Sequence, residues 1–211
     1  MKTVYFVRHG QSEGNISREF QAPTSPLTDT GKAQAKRIAE RVAKLPFQTL
    51  IVSPLTRTKE TADEIITATG KEPEYCELFK ERVKPTAING KSPDDPKALR
   101  LYNLWDKSLY TPSIRAEDGE NFDDIIARAD KALEFLKNRK ESEILVVTHG
   151  YFLRTMIARV LFWKFLTPEA FRNFQARASM ENSGLSALKY ETIREGDVWR
   201  LWIYNDHAHL G

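Results

Sequence analysis

Two apolar runs frame the chain: Thr3-Val4-Tyr5-Phe6-Val7 near its start, and Ile144-Leu145-Val146-Val147-Thr148 two thirds of the way along. Both are short, rich in β-branched and aromatic residues, and closed by an abrupt polar turn, so each predicts a strand buried on both faces. The first ends at Arg8-His9-Gly10 and the second at His149-Gly150. A third run, Thr49-Leu50-Ile51-Val52, leads into Ser53-Pro54. Between them the apolar period changes to that of helices. Ala35, Ile38, Ala39, Val42 and Leu45 share one helical face behind an N-cap in Thr28-Asp29-Thr30. Ser53-Pro54 reads as an N-cap followed by proline in the first helical position, which predicts a helix over 54–69.

Residues 71–77 hold room for another strand, with Cys76 and Leu78 as its inward residues. From 81 to 120 the pattern breaks at Pro85, Pro93, Pro96 and Pro112, leaving one short helix around 97–107. Asn121 then opens an amphipathic helix with Phe122, Ile125, Ile126, Ala129, Leu133 and Leu136 inward. A helix begins at Tyr151, and a shorter one lies around 168–175. Alternating segments 184–190 and 198–204 predict a hairpin about Glu195-Gly196-Asp197. The expected fold is an α/β three-layer sandwich: a mostly parallel central sheet with an antiparallel edge strand, helices on both faces, and a small, mainly helical insertion over the site. The expected organisation is a single domain, 1–211, with the insertion at about 81–120.

Composition narrows the function classes. Lys and Arg total 32 against 29 Asp and Glu, a net charge of +3 too small to argue for nucleic acid. The single Cys76 excludes an internal disulfide framework and fits a reducing compartment. No signal-peptide pattern opens the chain, and the apolar stretch 151–166 carries Arg154, Arg159 and Lys164, so a buried helix is expected there in place of a membrane span. These features lead to the expectation of a cytoplasmic protein.

In an open parallel sheet all carboxyl ends lie on one edge, where ligands bind. Arg8, His9, Arg57 and His149 can therefore meet. Taken singly, a histidine at a strand end is an ordinary structural residue, and an arginine in a first helical turn is an ordinary solvated charge. The coincidence carries more: the chain has four histidines, and two of them stand as His-Gly directly after its two most apolar strands. Two guanidinium forks and helix N-termini in one crevice suit a phosphate group. At about 4 Å and an effective dielectric near 20, one such cation attracts a unit anion by about 4 kcal/mol. Glycine after each histidine lets a backbone N–H approach the ligand.

Other phosphate chemistries lack their residues. The sequence has no Walker A loop and no Gly-x-Gly-x-x-Gly turn. Cys76 sits beside Glu74 and Glu77, a poor setting for a thiolate nucleophile. Asp206, His207 and His209 form the one short metal-like cluster, and they read as a structural loop closing the last strand. An imidazole nucleophile, with neither metal nor cofactor, is the reading left.

The motifs Arg8-His9-Gly10-Gln11-Ser12-Glu13-Gly14-Asn15, Ser53-Pro54-Leu55-Thr56-Arg57-Thr58, Leu78-Phe79-Lys80-Glu81-Arg82 and Val146-Val147-Thr148-His149-Gly150 resemble, in order and spacing, those of the histidine phosphatase superfamily. That group contains the cofactor-dependent phosphoglycerate mutases and related acid phosphatases. The resemblance implies His9 as nucleophile, Arg8, Arg57 and His149 as ligands of the phosphoryl oxygens, and Asn15 and the Gly150 amide as further donors. It implies Glu81 as the acid that protonates the leaving alcohol; residue physics alone leaves Glu77, Glu81 and Glu120 equal. Arg82 is open between substrate contact and surface, and Trp105 and Tyr110 between stacking on substrate and packing the insertion.

The expected function is a metal-independent phosphomonoester hydrolase acting on a phosphorylated small molecule. Two alternatives stand beside it, a phosphoglycerate mutase and a non-catalytic phosphoester-binding adaptor. The mutases carry a longer, basic, tyrosine-containing insertion after the acid, and the stretch from Lys84 to Asp95 departs from it. An adaptor needs neither nucleophile nor acid, and both are in place.

Overall fold

The structure is a computed structural model that describes residues 1–111, 113–194 and 196–211. Its elements, in chain order, are β1 (Lys2–Arg8), α1 (Glu13–Ile16), α2 (Asp29–Val42), β2 (Thr49–Val52), α3 (Thr56–Thr69), β3 (Pro73–Tyr75), α4 (Pro96–Lys107), α5 (Phe122–Lys137), β4 (Glu143–Thr148), α6 (Gly150–Phe162), α7 (Pro168–Arg177), β5 (Leu185–Ile193) and β6 (Gly196–Asp206). The six strands form one sheet in the order β3-β2-β4-β1-β5-β6. β1, β2, β3 and β4 are mutually parallel, and the closing hairpin β5–β6 adds the antiparallel edge. Glu195, in the turn expected for that hairpin, and Pro112 lie outside the described residues.

Alternation along the central strands divides the core. Val4, Phe6, Ile144 and Val146 pack with Ile125, Leu136, Phe152 and Met156 of α5 and α6, whereas Tyr5, Val7, Leu145 and Val147 pack with Ile38, Val42, Ala62 and Ile65 of α2 and α3. Every one of these side chains is buried. A strand covered on both faces has no polar side to show, which is why β1 and β4 read as continuous apolar runs.

Two local expectations fail. Ser53-Pro54 does not cap α3: the helix starts at Thr56 with Leu55 as its N-cap and no side-chain capping bond. The Ser53 hydroxyl is engaged across the sheet edge instead. The strand expected over 71–77 shrinks to Pro73–Tyr75, and Glu77–Phe79 turns as a 3-10 helix. Phe79, not Cys76 or Leu78, is the fully buried residue there. By contrast Thr28 accepts the Gly31 amide as N-cap of α2, and Asn121 forms a capping box with Asp124 at α5.

The loop after β1 is pressed against the start of α2. A Cβ on Gly31 would lie 1.9 Å from the Gln11 carbonyl oxygen, and one on Gly10 would lie 2.4 Å from that of Gly31. Glycine at both positions is a steric requirement of bringing these backbones together. The described residues of segment 81–120 add no strand to the sheet; Leu109 enters the core beside Ile125 and Phe152, and the segment meets the loop before α2. Phe20 stacks on Tyr102 with ring centroids 4.5 Å apart, and Phe20 exchanges backbone hydrogen bonds with Gly90 and Lys91.

Candidate active site

Because β1, β2 and β4 run parallel, their carboxyl ends deliver side chains to one edge. Arg8 is the last residue of β1, Arg57 the second of α3, and His149 the N-cap of α6. The four meet as expected from their places: the rings of His9 and His149 lie 5.2 Å apart, and Arg57 Nε donates to His9 Nε2 at 3.2 Å. His9 and Arg57 are each 2% exposed, and His149 is fully buried.

His9 is held from every side. Its Nδ1 lies 2.7 Å from the Gly10 carbonyl oxygen, which only accepts, so Nδ1 carries the hydrogen and Nε2 keeps its lone pair. Its backbone N–H donates to Thr148, and its carbonyl accepts from Asn182 Nδ2 and the Ser183 amide. Asn182 and Ser183 carry no motif, and only their place just before β5 hints at a role. Burial first, then the charges of Arg57 and Arg8, hold the His9 imidazole well below the ordinary histidine range. Burial first, then Arg57 and His9, does the same to His149. Burial lowers Arg57 to about 10, which leaves it charged at neutral pH.

Three nitrogens in this cluster, Arg8 Nε, Arg57 Nη1 and His149 Nδ1, are buried with no hydrogen-bond partner among the described residues. The two guanidinium nitrogens are buried donors that favour an acceptor, and their charge favours one that is anionic. Arg8 is aimed by its Nη1 bond to the Met180 carbonyl and lies flat on Gly150, where a Cβ would come within 3.0 Å of Nε. Gly150 is therefore required by Arg8, besides opening α6 with its amide.

The two neutral imidazoles have a consequence for folding. In the unfolded chain each protonates near 6.5, and in the fold each resists doing so. The unfolded state therefore binds more protons below that pH, and stability falls as pH falls. Chemical denaturation between pH 7 and pH 5 should show a declining unfolding free energy, with a limiting slope of about 1.4 kcal/mol per pH unit for each imidazole. His149→Gln should lose part of that slope.

Gly10 departs from its expected use, because its amide donates to Thr61 Oγ1 at 3.1 Å and is not open to a ligand. Asn15 lies in a capping box with Ser12: its Oδ1 accepts from the Ser12 amide and hydroxyl and from Asn182, leaving Nδ2 as its available donor. Glu81 receives the amides of Phe152 and Arg82 on Oε1, each at 2.9 Å, and that of Tyr151 on Oε2 at 3.2 Å. The carboxylate is thus docked on the N-terminus of α6, one turn from His149. Glu77 pairs with Lys80 and Glu120 with Arg128, so among the three glutamates the structure leaves Glu81 facing the cluster.

Arg82 is not a surface residue, and although it lines the cleft beside Glu81 its guanidinium is engaged by the protein itself. It is 4% exposed and turns its guanidinium into segment 81–120, where Nε and Nη2 donate to the Glu120 carbonyl, Nη2 also reaches Ser108 Oγ, and the group stacks 3.6 Å from the Trp105 ring centre. Trp105 is a packing residue, with Nε1 bonded to the Val83 carbonyl. The half-buried Tyr110 lies beside Arg172. A cleft of about 180 Å³ opens beside Arg57 and Glu81, lined also by Gln21, Leu55, Lys84 and Asn89. Burial lowers the Lys84 ammonium to about 8, and its Nζ donates to the Gln21 carbonyl. At the far end of the chain Asp206 pairs with Arg41, which also lies 3.1 Å from His209 Nδ1. No group of three or more metal-ligating side chains forms among the described residues, and no helix among them is long and apolar enough to cross a membrane.

Comparison with known proteins gives a consistent result. A family model described as "Histidine phosphatase superfamily (branch 1)" matches residues 4–204. A protein of Photorhabdus laumondii named "Probable phosphoglycerate mutase GpmB" is 34% identical over 169 residues, spanning 76% of this chain and 75% of that protein. Among solved structures, Bacillus stearothermophilus YhfR superposes with a TM-score of 0.81 at 24% identity, covering 100% of both chains. A mutant phosphoserine phosphatase of Entamoeba histolytica, in complex with phosphoserine, gives 0.75 at 24% identity, also over 100% of both chains. At that identity the structures share a fold with this chain.

Proposed function

The chain belongs to the histidine phosphatase superfamily, and on that premise we propose that it is a metal-independent phosphomonoester hydrolase working through a phosphohistidine on His9. The observation that carries the reading is the unprotonated His9 Nε2, whose lone pair accepts only from Arg57 Nε among the described residues, set beside three buried, partnerless nitrogens of Arg8, Arg57 and His149.

In the first step Nε2 attacks phosphorus in line and the bond to the ester oxygen breaks. Glu81, which takes up a proton as the phosphate fills the cationic cluster beside it, gives that proton to the departing alkoxide. The Nδ1–H bond to the Gly10 carbonyl persists, so the phosphorylated ring shares its positive charge with a fixed acceptor. Arg57 exchanges its bond to Nε2 for one to a phosphoryl oxygen, joined there by Arg8, His149, the Gly150 amide and Asn15 Nδ2 as charge moves onto those oxygens. In the second step water attacks phosphorus, the Glu81 carboxylate takes its proton, and inorganic phosphate leaves with Nε2 restored.

The cleft beside Arg57 and Glu81 would hold the alcohol part of a phosphorylated small molecule. Phosphoglycerate mutase is the second reading, favoured by the name that curated relatives carry. Hydrolysis is preferred because the stretch from Lys84 to Asp95 lacks the basic, tyrosine-containing cover of the mutases. Phosphate release from p-nitrophenyl phosphate should proceed undiminished in EDTA. With 3-phosphoglycerate and a bisphosphoglycerate primer, phosphate release should outpace isomerisation, and the reverse order would replace hydrolase by mutase.

A further inference from the structure

We propose that Ser53 is a positioning residue for the reaction: its hydroxyl donates to His149 Nε2, fixing the ring in the tautomer whose Nδ1–H points a hydrogen at the phosphoryl group. The assignment follows from the surroundings of the hydroxyl. Ser53 is fully buried at the end of β2. Its backbone is already satisfied, the amide by the Val147 carbonyl at 3.0 Å and the carbonyl by Thr58 Oγ1 at 2.8 Å. Among the described residues, the one hydrogen-bond partner of Oγ is His149 Nε2, at 2.7 Å.

Two arrangements of hydrogens fit that contact, and they differ in what they leave unmatched. If Nε2 carried the ring hydrogen and donated to Oγ, the serine hydrogen would be buried without an acceptor, and Nδ1 would hold a bare lone pair. That lone pair would belong to a ring packed against His9, where a phosphoryl oxygen would repel it. If Ser53 donates, the hydroxyl and Nε2 satisfy each other, and the only unmatched group is Nδ1–H. A buried donor beside the nucleophile is matched once an anionic oxygen arrives. The same geometry explains why Ser53 does not cap α3: its hydroxyl is committed to a different strand end.

The role in turnover rests on the hydrolase reading above, whereas the tautomer does not, and the test separates them. In the wild-type protein labelled with 15N-histidine, His149, identified by the signal lost in His149→Gln, should show a pyrrole-type Nδ1 and a pyridine-type Nε2. Ser53→Ala should populate the opposite tautomer and lower kcat by about 10- to 100-fold, with KM changed by less than about twofold. A change that merely loosened the fold would not move the ring hydrogen. A pyridine-type Nδ1 in the wild type overturns the proposal, and so does an Ser53→Ala protein with unaltered tautomer and kcat. Should the variant fail to fold, the wild-type spectrum still decides. A wild type that hydrolyses no phosphomonoester, yet shows the expected ring, defeats the hydrolase reading and leaves the positioning of His149 standing.

Discussion

Replacing His9 by alanine should lower kcat toward phosphomonoesters by about 10,000-fold or more, with the protein still folded. The loss is this large because no neighbour can take the role. His149 is engaged by Ser53 through Nε2, Cys76 is half-buried behind β3 with its thiol pushed up by burial, and Lys84 is tied to the Gln21 carbonyl. Removal of the ring also takes away the acceptor of Arg57 Nε but relieves no strain, so the fold, built on β1 and β4, should persist. Two measurements check this. Steady-state release of p-nitrophenol reads the rate, and intact-protein mass after alkaline quench reads the covalent intermediate. Wild type should gain the mass of one phosphoryl group and His9→Ala none. A phosphorylated His9→Ala protein would move the nucleophile elsewhere and sink the proposed mechanism.

The reason so much of this site could be read in advance is that its parts stand at ends of buried strands. The middles of β1 and β4, Val4 to Val7 and Ile144 to Val147, had to be apolar to lie between two helical layers, so the charged and imidazole groups at their ends, Arg8-His9 and His149, were conspicuous. Arg57 followed from the parallel direction of β2. What stayed hidden depends on contacts between segments far apart in sequence. Ser53 resembled a helix cap because local signals favour that use, and only the approach of β4 shows its hydroxyl facing His149. Gly10 looked like a ligand-binding amide, whereas the close approach of Gly31 and the bond to Thr61 explain it. Arg82 follows Glu81 directly, yet an extended backbone sends neighbouring side chains apart, and its guanidinium enters the segment that carries Trp105. Asn182 and Ser183, which grip the His9 backbone from a loop 173 residues away, left no pattern to find.

Arg57→Ala should cost about 100- to 1,000-fold in kcat, the scale seen when one transition-state donor is removed, and should carry a second signature that separates charge from shape. Arg57 is the largest charge acting on His9 after burial itself. Removing it weakens the repulsion of a proton, so the His9 pKa rises toward the ordinary histidine range and the ring titrates at higher pH, which NMR of the free protein would follow. Arg57→Lys keeps a cation near His9 but loses the planar fork that gives Nε to His9 and leaves Nη1 for the phosphoryl group. It should therefore leave the His9 titration depressed while recovering little of kcat. If lysine restores kcat to within about threefold of wild type, a point charge suffices and the fork geometry is not the source of the rate. If alanine leaves the His9 titration where it was, burial and Arg8 suffice to keep that imidazole neutral without Arg57.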